Sequence, residues 1–212
     1  MAKSPISKVL LALRHGIKGG LGEYGQEIGP NFLNEASRMV VTNLDVIKWL
    51  QRFNGLDLFG SAIARSWQEL LQICSVLSYH RMRCQTHDPL PNLGNDAMFR
   101  DWANRGLAQK MEETGSEVNG LRGILEDADF RNTCAQASLE IGRGLNHMQY
   151  DYAVGVFHSP TIQLAALGLG YKFDGNLACN DGLIFVLRQD YGIECLGLWK
   201  DGLPLPMVGS TD

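Results

Sequence analysis

The tightest constraint on the fold of this chain lies near its start, in Lys8-Val9-Leu10-Leu11-Ala12-Leu13-Arg14-His15-Gly16. The apolar run from Val9 to Leu13 is too short for an ordinary helix and suits a strand buried on both faces. It stops at a permanent cation beside a titratable nucleophile, and Gly16 then permits a sharp turn. Open α/β sheets bind ligands at the carboxyl ends of their strands, so a strand ending in Arg-His-Gly reads as the floor of a site. Three residues alone also fit a buried strand whose polar end meets solvent. The rest of the chain decides between the two.

At 212 residues the chain is read as one domain over positions 1–212, with a sizeable core. A net charge of −4 argues against general nucleic-acid binding, which needs a basic patch. Cys74, Cys84, Cys134, Cys179 and Cys195 are scattered and form no C-x-x-C pair. That favours reduced thiols over a disulfide framework or a zinc site. Met1-Ala2-Lys3-Ser4-Pro5 does not resemble a signal peptide, and no apolar run approaches the length of a membrane span. The expected location is the cytoplasm.

Along the chain, strand and helix patterns alternate. A glycine-dense stretch (Gly19, Gly20, Gly22, Gly25, Gly29) reads as a loop, without the residue order of a P-loop. Asn34 or Asn31 can cap a helix beginning near Glu35, carrying Val40, Leu44, Ile47 and Leu50 and ending at Asn54-Gly55. Leu56–Gly60 is a second strand, and Ile63, Trp67, Leu70, Cys74 and Leu77 mark the helix after it. Arg65 falls off that face and in the first turn, where the helix macrodipole disfavours a cation. An anion held between the helix end and the guanidinium would reverse that penalty.

Arg81–Gln85 reads as a third strand, followed by the loop Thr86–Gly94 and a helix cap at Asn95-Asp96 before Phe99, Trp102 and Leu107. The segment Ser116–Asp129 is expected to be partly helical, and Cys134–Met148 fully so. Asp151–Phe157 is a fourth strand and ends on His158. Ser159-Pro160 then reads as N-cap and first residue of a helix. Leu183–Leu187 and Ile193–Trp199 form a closing hairpin. The expected architecture is a three-layer α/β/α sandwich with a mostly parallel central sheet and a C-terminal hairpin.

Arg14, His15, Arg65 and His158 therefore fall at strand ends and helix starts. Two arginines and two histidines so placed make an anion pocket, and guanidinium forks match phosphate oxygens while staying charged. A neutral imidazole can attack phosphorus directly and split hydrolysis into two easier steps. With no carboxylate cluster beside the histidines, a metal mechanism is not expected. His80, His87 and His147 show no ligand spacing and read as structural or exposed.

These residues carry a resemblance. Leu13-Arg14-His15-Gly16 resembles the defining motif of the histidine phosphatase superfamily, also called phosphoglycerate mutase-like. Gly60-Ser61-Ala62-Ile63-Ala64-Arg65-Ser66-Trp67-Gln68 is similar to that family's second motif, and Val154–Pro160 to the late strand that delivers a second histidine. Leu33-Asn34-Glu35 sits where members often have Leu-Thr. The resemblance runs in the family's order from about Lys8 to Leu198. It implies the α/β/α fold, no metal or organic cofactor, and His15 as the nucleophile that becomes phosphohistidine. Arg14 and Arg65 would clamp the phosphoryl oxygens, and a protonated His158 would complete the pocket.

The chain also departs from the pattern. Many members carry Leu-Arg-Glu after the third strand, the glutamate being the proton donor, and here the loop reads Leu90-Pro91-Asn92. The acid phosphatase branch has an aspartate directly after the second histidine, where this chain has Ser159. Asp88 is the first substitute and Asp96 the next, although Asp88 before Pro89 also reads as a turn residue and Asp96 as a cap. Lys18 stands where the family has an asparagine after its first motif. The expected function is a phosphatase acting on a phosphorylated small molecule or phosphoprotein. The alternatives are a phosphate-binding regulatory module and a phosphoglycerate-type mutase.

Overall fold

The computed structural model describes residues 3–16, 18–21, 27–33, 45–79, 81–172, 175–200 and 202–211. The chain begins with β1 (Ile6–Arg14), β2 (Lys18–Leu21) and β3 (Glu27–Leu33). Then come α1 (Asp45–Leu50), β4 (Gly55–Gly60), α2 (Ala64–Tyr79) and β5 (Arg83–Thr86). A 3-10 turn at Pro91–Leu93 leads to α3 (Asp96–Asn104), α4 (Leu107–Thr114), α5 (Glu117–Ile124) and α6 (Asp127–His147). Last are β6 (Tyr152–Phe157), α7 (Ser159–Gly168), β7 (Gly182–Arg188) and β8 (Ile193–Trp199).

The apolar run at the start of the chain is the interior strand that it reads as. The main sheet has the order β5-β4-β6-β1-β7-β8; β5, β4, β6 and β1 run parallel, and β7 and β8 return antiparallel. Side chains of β1 alternate between two cores. Leu10 and Ala12 join Phe59, Phe157 and Phe185 under Ile141 and Leu145 of α6 and Ile162 of α7. Val9, Leu11 and Leu13 join Leu58, Val154 and Trp199 under Ile47 of α1 and Leu70, Ile73 and Leu77 of α2. Helices on both faces of a mostly parallel sheet are the three-layer architecture that the alternating pattern predicts.

Register places the chemistry. Arg14 pairs with Phe157 across β1–β6, and Gly60 pairs with Val156 across β4–β6. The residues that follow these strands, His15, Ser61 and His158, therefore leave the sheet at one edge. The His15 N–H donates to the Phe157 carbonyl at 3.0 Å, extending the ladder one step beyond the strand.

Three local readings change. Of the glycine-dense stretch, Gly19, Gly20 and Gly29 are not in a plain loop but in β2 and β3, which pair antiparallel with a register shift between Lys18 and Gly20, while Gly22 and Gly25 lie outside the described residues. The expected helix start near Glu35 and its cap candidate Asn34 fall on residues 34–44, outside the described residues; the other cap candidate, Asn31, lies inside β3, and α1 supplies the last part of the helix. The cap of α7 is His158 rather than Ser159, which puts Pro160 one residue further into the first turn. No helix among the described residues is long and apolar enough to cross a membrane.

Asp57 ties the layers together from inside β4. Fully buried, it accepts from His87 Nε2 at 2.5 Å, and from the Gln149 and Tyr150 N–H groups at 2.9 and 2.7 Å. The His87 ring is stacked on Phe59, its centroid 4.4 Å away. Asp57→Ala strips two backbone donors of their acceptor in a place water does not reach. The expected loss is about 2–4 kcal/mol in urea unfolding, seen as a lower midpoint at unchanged m-value. An unchanged midpoint would refute this role.

Candidate active site

One guanidinium joins the two histidines. Arg65 donates from Nε to His15 Nε2 at 3.1 Å and from Nη2 to His158 Nδ1 at 3.0 Å. Because a guanidinium only donates, both imidazole nitrogens must accept. His15 Nδ1 lies 2.6 Å from the Gly16 carbonyl, which can only accept, so the proton sits on Nδ1 and the Nε2 lone pair faces the cavity. His158 carries its proton on Nε2, facing Ser61 Oγ at 2.9 Å, and Ser61 Oγ lies 2.8 Å from Ser66 Oγ. With the Arg65 N–H aimed at Nδ1, the second nitrogen of His158 is the one turned toward the serine pair.

Arg14 stands at the rim of the same pocket. It donates from Nη1 to the Leu177 carbonyl, while Nη2 lies 3.7 Å from Glu117 Oε1. Its Nε has no acceptor among the described residues. Arg65, at 7% exposure, is more deeply placed than an off-face first-turn position suggests. Burial lowers its pKa to about 10, and the charge of Asp96 works in the opposite direction. It stays a cation at neutral pH. Two guanidinium groups and two imidazoles thus converge where β1, β4 and β6 end and α2 and α7 begin.

The supporting residues were not legible as such. Gly94 packs against His158 with φ +136°, and a Cβ there would fall on the imidazole ring. Only glycine fits both the backbone conformation and the space. Glu69, on α2 one turn beyond Arg65, is fully buried and accepts the Gly16 N–H at 2.7 Å. It thereby fixes the residue whose carbonyl sets the His15 tautomer. The expected buried face of α2 holds at Ile63, Leu70 and Leu77, with Trp67 and Cys74 partly buried against the same core, and it widens to take in Ser66, Glu69 and Ile73.

The pocket opens into a cavity of about 850 Å³ that includes Arg14, His15, Arg65, His158, Asp96 and Glu117 in its lining. Asp88 is not brought to it. It is exposed and lines a separate cavity with Phe59, His87 and His147. The cause is backbone pairing, since His87 N–H donates to Leu58 and Leu90 N–H to Gly60, which turns the intervening residues away. Asp96, at the start of α3 after the cap Asn95, does reach the cavity. Glu117, which sequence reading missed, accepts from Ser159 Oγ and faces Arg14. Lys18 opens β2, and His80 falls outside the described residues. Among the described residues no three His, Cys, Asp or Glu side chains gather as metal ligands.

No protein-family model matches this sequence, and no curated protein matches it. Likeness appears in three dimensions. Phosphoglycerate mutase from Bacillus anthracis superposes at a TM-score of 0.58 and 14% identity, over 92% of this chain and 93% of that one. Phosphoserine phosphatase from Entamoeba histolytica, solved with 3-phosphoglyceric acid, does so at 0.53 and 13%, over 92% and 98%. A putative alpha-ribazole-5'-P phosphatase from Escherichia coli gives 0.52 and 16%, over 94% and 100%. This chain has the α/β fold of the histidine phosphatases.

Burial lifts the Glu69 carboxyl from its ordinary 4.5 to about 7, with the Gly16 N–H opposing part of the rise. Between those values the folded protein keeps a proton that the unfolded chain has released. Stability therefore falls as pH rises from about 4.5 through 7 and levels off above it. Glu69→Gln removes the titration. From pH 5 to 7.5 the parent is expected to lose on the order of 2 kcal/mol relative to the variant in chemical denaturation. Parallel pH profiles would contradict it.

Proposed function

We propose that this chain is a metal-independent phosphatase of the histidine phosphatase superfamily, hydrolysing phosphomonoesters through a phosphohistidine on His15. The observation that carries the reading is the pairing at that residue. Nδ1–H is bound to the Gly16 carbonyl, and Nε2 is turned toward Arg65 at the carboxyl end of the sheet, in a cavity that Arg14 also lines. An imidazole held in this tautomer attacks with Nε2 and delocalises the positive charge that develops onto Nδ1, where the carbonyl receives it.

In the first step His15 Nε2 bonds to phosphorus and the ester P–O bond breaks, the leaving oxygen taking the electron pair. Arg14 and Arg65 neutralise the equatorial oxygens, and His158, taking up a proton on Nδ1 once substrate has displaced its contact with Arg65, donates to one of them as an imidazolium. Asp96 is the proton donor of this account, because it lines the cavity and Asp88 does not. Glu117 accepts from Ser159 and faces Arg14, an arrangement that holds the Arg14 guanidinium and α5 in place. In the second step water attacks phosphorus, the P–N bond breaks, and Asp96 takes up the water proton. Phosphate leaves and His15 is restored.

Turnover of p-nitrophenyl phosphate by the purified protein tests this. His15→Ala is expected to lower kcat/KM by at least ~10³-fold, and Arg65→Ala by roughly 10²–10³-fold. Asp96→Asn should slow an alkyl phosphate by about 10²-fold or more, and p-nitrophenyl phosphate far less, because a good leaving group needs no proton. Equal turnover by parent and His15→Ala would overturn the mechanism. Stabilisation by phosphate without any turnover would instead favour a phosphate-binding module.

A further inference from the structure

The phosphoryl group accounts for the floor of the cavity only. About 850 Å³ is the size of a site for a whole small molecule, well beyond a phosphate ion. Above the floor the lining changes character, to Ile63, Phe99, Ala103, Leu107, Met111 and Pro160. Phe99 and Ala103 stand one turn apart on α3, and Leu107 and Met111 one turn apart on α4, so each helix turns a single stripe to the cavity.

Helix α4 makes the case sharpest. It buries no residue fully, yet its apolar side chains Leu107 and Met111 face the cavity. Met111 is backed by Gly120 of α5, where a Cβ would come within 2.9 Å of Met111 Cγ. Phe99 is set edge-on to both His158 and Trp102, with centroids 4.8 and 5.5 Å away. The wall is thus a built apolar surface, continuous with the phosphoryl floor. The further cation on this lining, Arg100, is exposed and donates from Nε to the Asp96 carbonyl.

We infer that the substrate class is phosphomonoesters of bulky apolar alcohols, whose hydrocarbon body lies against Phe99, Leu107 and Met111 while the phosphoryl group lies on His15. This rests on the phosphatase reading and narrows it away from small polar esters. Beyond the phosphoryl floor, a second acidic group on the substrate would meet, among the described residues of the lining, the exposed Arg100, the carboxylate of Asp96 and an apolar wall, which cannot replace its hydration.

The test compares 2-naphthylmethyl phosphate with glycerol 1-phosphate, both esters of primary alcohols, so that leaving-group acidity does not decide. The naphthylmethyl ester is expected to have a kcat/KM at least ~10²-fold higher, mainly through KM. Met111→Asp and, separately, Leu107→Asp should each shrink that ratio by about tenfold or more, with melting curves checking that the half-exposed helix still folds. Equal kcat/KM for the two esters, or a preference for glycerol phosphate, overturns the inference and leaves the phosphatase reading standing. If neither ester is hydrolysed, the phosphatase reading has failed, and calorimetry with non-hydrolysable probes decides. 2-Naphthylmethylphosphonate must then bind at least tenfold tighter than methylphosphonate, and equal affinities overturn the inference.

Discussion

A buried arginine bridging two imidazoles is the constraint around which the rest of this molecule is arranged. A guanidinium in an apolar interior loses its hydration, and the fold compensates with polar partners from separate strand ends. His15 arrives from β1, His158 from β6, and Arg65 from the turn after β4. They meet because β4, β6 and β1 are parallel neighbours whose register ends at one edge. Parallel pairing is usually discussed as packing. Here it is also what converts positions far apart in the chain into contacts of about 3 Å.

The second layer around this centre is made of groups that a stability argument alone would not select. Ser61 and Ser66 are fully buried hydroxyls paired with each other, and Ser61 also meets His158. Glu69 has one oxygen on the Gly16 N–H and the other, Oε1, without a partner among the described residues. Gly94 carries a left-handed backbone so that His158 has room. Each of these works against packing or solvation locally, and each restrains one of the two imidazoles.

The sequence discloses the strand–turn–helix junctions well because short apolar runs, glycine and an abrupt polar end are local signals. Arg14-His15-Gly16, Ser61 to Arg65, and His158 could each be placed at a strand end without knowing the topology. What stayed hidden depended on non-local geometry. Asp88 follows β5 and looks available, but continued pairing of His87 and Leu90 with β4 carbonyls points it elsewhere. Glu69 lies one position from Leu70, and a shift of one residue on a helix moves a side chain by about 100°. Glu117 comes from a helix far along the chain whose sequence carries only a cap, Ser116. Gly19, Gly20 and Gly29 lie in β2 and β3, with Pro30 inside β3, because pairing with a second strand decides the backbone there and a local count of turn residues does not see it.

The proposed mechanism requires one tetrahedral anion to touch Arg14, His15, Arg65 and His158 together. A crystal structure of the protein with vanadate measures this most directly. Vanadium within bonding distance of His15 Nε2, with its oxygens on Arg14, Arg65 and His158, is the predicted result. Vanadate bound elsewhere, or held by the arginines with His15 Nε2 still directed at Arg65, would contradict it.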